Sequence, residues 1–268
     1  MTRSLALALV LAAAYLRGQM EYRFNFVVLV VMGLVYQLTG FVFVWVLIAR
    51  FNNLGGWTLG EIAFLYGLRL LVHALRGICF GNVGREMEWL VRRGEFDRML
   101  VRPMSPLVQV AVKQIPINDF GNLIGGVGVF VVASLAVAID WSPAAIAFLV
   151  LAVLGGCLVE AALELALASL TFRIVRAHAL FALVNDVNNR FGSYPLHIFG
   201  DLARFVLTFG VPVAFIAYLP ANVLLGRTGE LSVHPALAYG APLVGVAMFG
   251  VAYLFWRSQI QHYQSSGH

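Results

Sequence analysis

Long apolar runs separated by short polar stretches dominate the chain. A helix needs about 20 residues to cross a hydrocarbon core of about 30 Å. The pattern therefore predicts an all-α, polytopic membrane protein with six transmembrane helices joined by loops. The predicted spans are 26–48, 62–80, 123–139, 144–170, 205–219 and 237–256.

Residues 1–23 form a shorter element of the same kind. The apolar run Leu5–Leu16 holds twelve residues, too few to span the bilayer at 1.5 Å per residue. A cleaved signal peptide is the alternative, because Ala12-Ala13-Ala14 resembles a cleavage site. Cleavage would place the new N-terminus outside and invert every later loop. We therefore expect an interfacial helix that lies along the cytoplasmic face.

The one long charged run covers residues 85–113, here called the charged segment. It holds six of the 18 Arg and Lys residues and four of the 13 Asp and Glu residues. Because apolar runs flank it, it must lie in water at one membrane face, and cytoplasmic loops collect Arg and Lys. With the N-terminus inside and 172–204 read as a second inner polar loop, fourteen basic residues lie inside against two outside. This count predicts that both termini are cytoplasmic.

Apolar residues recur at helical spacing on both sides of Gly94 in the charged segment. Met87, Leu90 and Val91 precede it, and Phe96, Met99 and Leu100 follow it. Pro103 disfavours helix at the residue before it. The pattern predicts two short amphipathic helices hinged at Gly94; a merely solvated loop is the alternative.

Composition excludes several other classes of protein. With 61% apolar and 12% charged residues, the chain differs from a soluble domain, which carries about 25% charge. Basic residues are not interleaved with aromatic ones as a nucleic-acid surface would require. Cys79 and Cys157 lie in apolar stretches without a paired spacing, so we expect two buried thiols and no disulfide or metal site.

Five ionisable residues fall inside predicted spans. Arg69, His73 and Arg76 share one helix face at positions i, i+4 and i+7, and Glu160 and Glu164 are four residues apart. An unpaired charge at the bilayer centre costs about 2.5–3.5 kcal/mol or more. Arg76 and Glu160 lie at similar depths in their spans, so we expect them to pair. The five residues form either a static brace or part of a substrate path.

A sequence motif in the charged segment points to a family. The stretch Gly94–Pro103, GEFDRMLVRP, resembles the signature of ABC transporter permeases of the ABC-2 type. Four further groups occur in the order seen in a bacterial branch of that family: Gly56-Trp57 with Tyr66-Gly67, Ser193-Tyr194-Pro195, Pro212-Val213-Ala214-Phe215 with Pro220-Ala221, and Tyr263-x-Ser265-x-Gly267. Arg69 and Arg76 match no pattern of the family.

The resemblance implies the membrane subunit of an ATP-driven exporter in a bacterial inner membrane. Two permeases, identical or different, would form the path, and a cytoplasmic ABC ATPase dimer would bind ATP and Mg. The chain itself lacks the GxxxxGK[ST] phosphate loop. The resemblance also implies a coupling helix in the charged segment and a broken or re-entrant segment between Pro212 and Pro235. The ATPase-coupling residues it implies are Gly94, Glu95, Asp97, Arg98, Leu100, Arg102 and Pro103.

A second class of function stays open at this stage. An ion-gradient-driven carrier or a membrane-embedded enzyme could use His73, Glu160 and Glu164 as a proton relay. The sequence contains neither an HExxH nor a GxSxG motif and shows no clear internal repeat. We therefore expect a transport subunit that binds no cofactor or metal and is not itself an enzyme.

Overall fold

The structure is a computed structural model that describes residues 2–51, 54–81, 83–113, 115–174 and 178–263. Arg176, Ser265 and Gly267, which entered the predictions above, lie outside these residues. Thirteen α-helices lie within the described part of the chain: α1 Thr2–Glu21, α2 Arg23–Phe51, α3 Leu59–Phe80, α4 Val83–Arg92, α5 Asp97–Leu100, α6 Pro106–Lys113, α7 Asn118–Ala136, α8 Pro143–Leu170, α9 His178–Phe191, α10 Asp201–Phe205, α11 Tyr218–Leu224, α12 Pro235–Tyr239 and α13 Ala241–Ile260.

The all-α, polytopic fold predicted from the sequence is confirmed. Five of the described helices are long and apolar enough to cross a membrane: α2, α3 with its continuation into α4, α7, α8 and α13. A sixth candidate is a bent pair of segments, 201–210 and 213–224, which meet at an angle of 72°. Helix α1 is separate from α2 and packs against α6.

Local sequence signals determine where two of the central helices begin. Thr58 and Glu61 form a capping box at the start of α3, in which Thr58 N–H donates to Glu61 Oε2 over 2.7 Å. Ser142 caps α8, and Pro143 occupies its first position. Both devices satisfy backbone N–H groups that a helix start leaves without partners.

Helix α3 lies at the centre of the bundle. It packs against α7, α8 and α2, and nearly every residue from Ile62 to Gly77 is buried. The Phe64 and Phe130 rings pack at 5.0 Å between centroids. Helices α8 and α13 pack along each other, because small residues allow a close approach: a Cβ added at Gly245 would lie 2.2 Å from the Gly155 carbonyl oxygen.

Contacts of α9 identify the two ends of the bundle. Near the start of α9, the Phe181 ring lies against Gly84; this end, which also holds the charged segment, is called the Gly84 end. Beyond α9, His197 Nε2 lies 2.6 Å from the Gly55 carbonyl oxygen; this is the Trp57 end. The stretch 178–198 therefore runs the length of the bundle, where the sequence predicted a polar loop over 172–204.

The prediction of a crossing helix over 205–219 is corrected by the contacts on either side of it. Arg204 donates to the His197 and Phe199 carbonyls, and Arg227 pairs with Glu61 at the start of α3. Both flanks of the bent pair therefore lie at the Trp57 end, as in a re-entrant segment. The break falls at Pro212, as expected, since proline cannot continue a helical hydrogen-bond ladder. The fifth passage between the two ends of the bundle, here called the fifth crossing, is made by α9 and the residues after it.

This correction changes the number of basic residues assigned to each end of the bundle but not which end holds more of them. Arg204 moves from the inner group to the Trp57 end, and Arg190 moves to α9, between the two ends. Most of the basic residues still lie at the Gly84 end, where the charged segment is.

Trp57 is fully buried, because Tyr218 stacks on its ring at 6.0 Å and Arg227 lies 5.4 Å from it. One further expectation needs correction. Cys79, predicted to be buried, is exposed, whereas Cys157 is buried. Cys79 falls in the last turn of α3, where the helix leaves the packed core.

Candidate functional site

A large polar cavity lies among α2, α3, α7 and α9. Its volume is about 1070 Å³, larger than a single ion or water molecule requires. It extends from Arg85 at the Gly84 end to Tyr66 and Tyr194. Polar side chains of three helices line it, among them Arg69, His73, Asp119, Asn122, Asn189 and Arg190. We call it the polar cavity.

The structure brings together four of the five predicted intramembrane charges. Glu160 Oε2 lies 3.1 Å from His73 Nδ1 and 3.4 Å from Arg76 Nε. Arg76 Nη1 lies 2.7 Å from Glu164 Oε2 and also donates to the Gly81 carbonyl. Arg76 therefore links α3 to α8 by two carboxylates, the arrangement that satisfies buried charges best.

The fifth charge, Arg69, has a different environment. Its guanidinium donates to Ser193 Oγ over 3.3 Å and to Asn189 Oδ1. Arg69 is only 5% exposed, and among the described residues it forms no ion pair. Its neighbours come from the end of α9 and the turn after it, so Arg69 ties α3 to the fifth crossing.

Sequence reasoning missed the contribution of α9 to the cavity. Asn185 and Asn189, which line it, fall at i and i+4, which places them on one helix face. A detectable signal was present: 178–191 contains neither Gly nor Pro, and Gly192 follows it, as is common at helix ends. The high polar content of the stretch led to its prediction as a loop. Asp119, which accepts from Asn122 over 2.7 Å, was also missed.

The charged segment folds as two helices separated by a turn at Gly94, with a third helix, α6, after them. Gly94 has φ +66°, a conformation that favours glycine. Phe96 follows the turn and is fully buried. Its ring packs against those of Phe172, Trp256 and Tyr263, with centroids 5.0–6.5 Å away. This aromatic cluster fixes the turn to Trp256 near the end of α13 and to Phe172 and Tyr263, which follow α8 and α13.

Two polar contacts hold the charged segment together. Lys113 Nζ lies 2.8 Å from Glu86 and 3.7 Å from Glu95, so the end of α6 reaches back to α4. Gln109 Nε2 donates to the Met99 carbonyl over 3.0 Å. The segment is therefore a folded unit with a defined outer surface.

The residues that the family resemblance assigned to ATPase coupling divide into two groups. Glu95 and Asp97 are half-buried, as is Gly94 itself. The exposed group forms the tip of the segment and consists of Arg98, Leu100, Arg102 and Pro103, with Val101 between them. Leu100 was predicted to share the inward apolar stripe with Phe96 and Met99 but is 44% exposed. Helix α5 has only four residues. Because Met99 occupies its inward face, Leu100 is left on the outer surface.

At the Trp57 end the bundle is closed by a compact cluster. His197 Nε2 faces the Gly55 carbonyl and must carry the proton, so Nδ1 is free to accept the weak 3.4 Å contact from the Tyr218 hydroxyl. Arg227 bridges Glu61 and Glu230 at 3.4 and 3.3 Å. The loop before α3 is thereby tied to both flanks of the re-entrant segment.

Comparison with known proteins gives one family. The sequence model of the family described as ABC-2 family transporter protein matches residues 34–267, which is most of the chain. No curated protein and no solved structure matches the chain at a significant level. The matched range includes the charged segment, the re-entrant segment and most of the residues that line the polar cavity.

Proposed function

The chain belongs to the ABC-2 family of transporter proteins, and we propose that it is the permease subunit of an ATP-driven exporter. As a permease of an ABC transporter it is a multi-pass membrane protein and a transport component. The ATPase partner, the direction of transport and the identity of the membrane go beyond the family match and are our proposals. The observation that carries the proposal is the exposed tip of the charged segment.

The tip fits a docking role because it combines exposure with a rigid support. Val101 is 84% exposed and Leu100 44%, and basic side chains at positions 98 and 102 flank them. An exposed apolar pair rimmed by charged side chains has the composition of an interaction site. A groove on a cytoplasmic ATPase dimer, with ATP and Mg bound to that partner, would cover them.

The polar cavity supports the second half of the proposal. It is bounded by α2 on one side, and α2 leaves most of its surface uncovered. We propose that a second permease, identical or different, packs there and completes a translocation path. The chain would contribute one half of that path and no catalytic residue.

The orientation follows from the charge distribution. The charged segment and the first helix lie at the Gly84 end, so we propose that this end faces the cytoplasm of a bacterial cell, in accordance with the positive-inside rule. Both termini would then be cytoplasmic, and the Trp57 cluster would close the outer side of the inner membrane.

Co-purification tests the proposal. A tagged chain expressed in its own host should capture an ATPase that contains a phosphate loop. Arg98→Glu combined with Arg102→Glu should reduce this capture at least about 10-fold, since reversed charges across an interface cost several kcal/mol. A matched control is Arg173→Glu with Arg257→Glu, two exposed charges that also lie at the Gly84 end but outside the charged segment.

Two results would contradict the proposal. The first is equal capture of the ATPase by the tip variant and the control variant. The second is transport by the purified chain in vesicles without ATP, driven by an ion gradient. That result would favour the secondary carrier that uses His73, Glu160 and Glu164.

A further inference from the structure

Within the described part of the chain, Arg69 differs from its neighbours on α3 in having no carboxylate partner. Arg76 and His73 pair with glutamates of α8. The partners of Arg69 are a hydroxyl and an amide. A guanidinium carries five N–H donors, so three remain for a ligand.

The acidic residue in the cavity wall does not neutralise Arg69. A Cβ added at Gly77 would overlap Asp119 Oδ2, and Gly77 is eight residues beyond Arg69 in α3, about 12 Å along the helix axis. Glu160 Oε2 contacts His73 and Arg76. Among the described residues, Arg69 is therefore a buried cation with no carboxylate within ion-pair distance, and Glu160 attracts it only from further away.

The wall that α2 forms is apolar in one part and polar in the other. Helix α2 contributes Leu29 and Met32, followed by Tyr36, Gln37 and Thr39. A ligand in contact with both walls would place a charged group against α3 and α9 and a hydrocarbon chain against α2. The volume of about 1070 Å³ admits such a molecule.

We propose that the polar cavity binds an amphipathic anion, with its phosphate, carboxylate or sulfate group on Arg69 and its hydrocarbon chain along Leu29 and Met32. Two N–H groups of one guanidinium can bond two anionic oxygens at once, which makes arginine suited to this role. The inference rests on the proposed function, because it names the cargo class of the same path.

Binding of dodecyl phosphate to the purified full chain tests the proposal. The chain is placed in phosphatidylcholine nanodiscs without ATP or partner, and affinity is measured by thermophoresis. Dodecyl phosphate should bind saturably, and dodecyltrimethylammonium, with the same chain and opposite charge, at least about 10-fold more weakly, since only the anion can accept charge-assisted hydrogen bonds from Arg69.

Three variants separate the role of Arg69 from a general effect on the fold. Arg69→Gln should weaken dodecyl phosphate binding about 10- to 100-fold. Asn189→Asp keeps Arg69 but places a carboxylate beside it, and should weaken binding at least about 10-fold because the anion then meets a neutralised site. Arg227→Gln, which removes a guanidinium at the Trp57 end, should leave affinity unchanged.

Each outcome decides for or against the site. Equal binding of the anionic and cationic probes, or unchanged affinity in both Arg69→Gln and Asn189→Asp, would overturn it. Should Arg69→Gln not elute as a folded protein, Asn189→Asp alone decides. Nanodiscs enriched in phosphatidate identify the source: displacement of dodecyl phosphate assigns a bilayer phospholipid, and undiminished binding assigns a free amphiphile.

The assay is independent of the proposed ATPase. A failure to bind the anion would leave capture of the ATPase as it is, and a failure to capture the ATPase would leave anion binding as it is. The two proposals can therefore fail separately.

Discussion

Helices α2 and α3 are neighbours of similar apolar character, yet they have opposite environments. Only 11% of the most apolar window of α2 is buried within the chain, against 72% for α3 and its continuation. Helix α2 has its charges at its two ends, Arg23 and Arg50, whereas α3 carries Arg69, His73 and Arg76 in its interior. The buried helix is thus the one that contains ionisable residues.

The contrast shows what determines where a charge can lie inside a membrane. A helix that the rest of the chain leaves largely uncovered, such as α2, must be uncharged along its length, because the chain offers no partner for a charge there and lipid offers none either. Helix α3 is surrounded by α7, α8 and α9, which supply carboxylates, amides and a hydroxyl. Interior charge therefore marks the helix that protein surrounds, and the three predictions below test this from the largest effect to the smallest.

Removal of the central cation should have the largest effect. Arg76→Leu leaves Glu160 and Glu164 without their shared partner and should lower the free energy of unfolding by about 3–5 kcal/mol. The measurement is denaturation of the purified chain in mixed micelles. The control is Arg92→Leu, which removes an exposed pair with Glu88 at 3.8 Å and should change stability by less than about 1 kcal/mol. Similar losses in both variants would remove the distinction between buried and exposed pairs.

The same side-chain truncation should have unequal effects in the two helices. Leu68 in α3 is fully buried and Leu38 in α2 is 43% exposed. Leu68→Ala should cost about 2–3 kcal/mol, at the lower end of the soluble range because lipid replaces water as the alternative environment. Leu38→Ala should cost less than about 0.5 kcal/mol. Equal thermal unfolding midpoints for the two variants would show that α2 is covered as completely as α3 even in the isolated chain.

The contact that does hold α2 in place should be sensitive to a single methyl group. A Cβ at Gly121 in α7 would lie 1.9 Å from the Val30 carbonyl of α2, whereas Gly128 has nothing within 4 Å. Gly121→Ala should therefore cost at least about 1 kcal/mol and push α2 away from α7. Gly128→Ala should be neutral or slightly stabilising. Thermal unfolding measures the cost, and cross-linking between cysteines placed in α2 and α7 measures the separation; an unchanged Gly121→Ala protein would contradict this packing.

Hydropathy was sufficient to predict the all-α membrane fold. Gly94 was sufficient to predict the break between the two short helices of the charged segment. The apolar runs are long, and their signal does not depend on neighbours. Gly94 has the positive φ that a sharp turn between two helices needs. These are local properties, and local sequence contains them.

The fifth crossing could not be predicted in the same way. Helix α9 is polar because it borders a cavity, so its composition resembles that of a loop. The re-entrant stretch is apolar because it is buried among α8 and other helices, so its composition resembles that of a span. Distinguishing them requires contacts such as those of Phe181 with Gly84 and of Arg204 with the His197 carbonyl, which connect distant parts of the chain.

The candidate site shows the same limit. The i, i+4 spacing indicated which charges share a helix face, and similar depth suggested a partner for Arg76. The absence of a carboxylate partner for Arg69 among the described residues, and its contact with Asn189, depend on how α9 packs. Sequence patterns describe one helix at a time, whereas a cavity is a property of several.

The aromatic cluster around Phe96 has a mechanical consequence. Trp256 lies near the end of α13, and Phe172 follows α8, so a torque applied at the turn of the charged segment would act on two long rods that lie against each other. Further along α8, Gly156 is in contact with the carbonyl of Ile216 in the re-entrant segment. A tilt imposed at one face of the bilayer would therefore be delivered as a displacement at the opposite closure, without any change in the length of the helices between them.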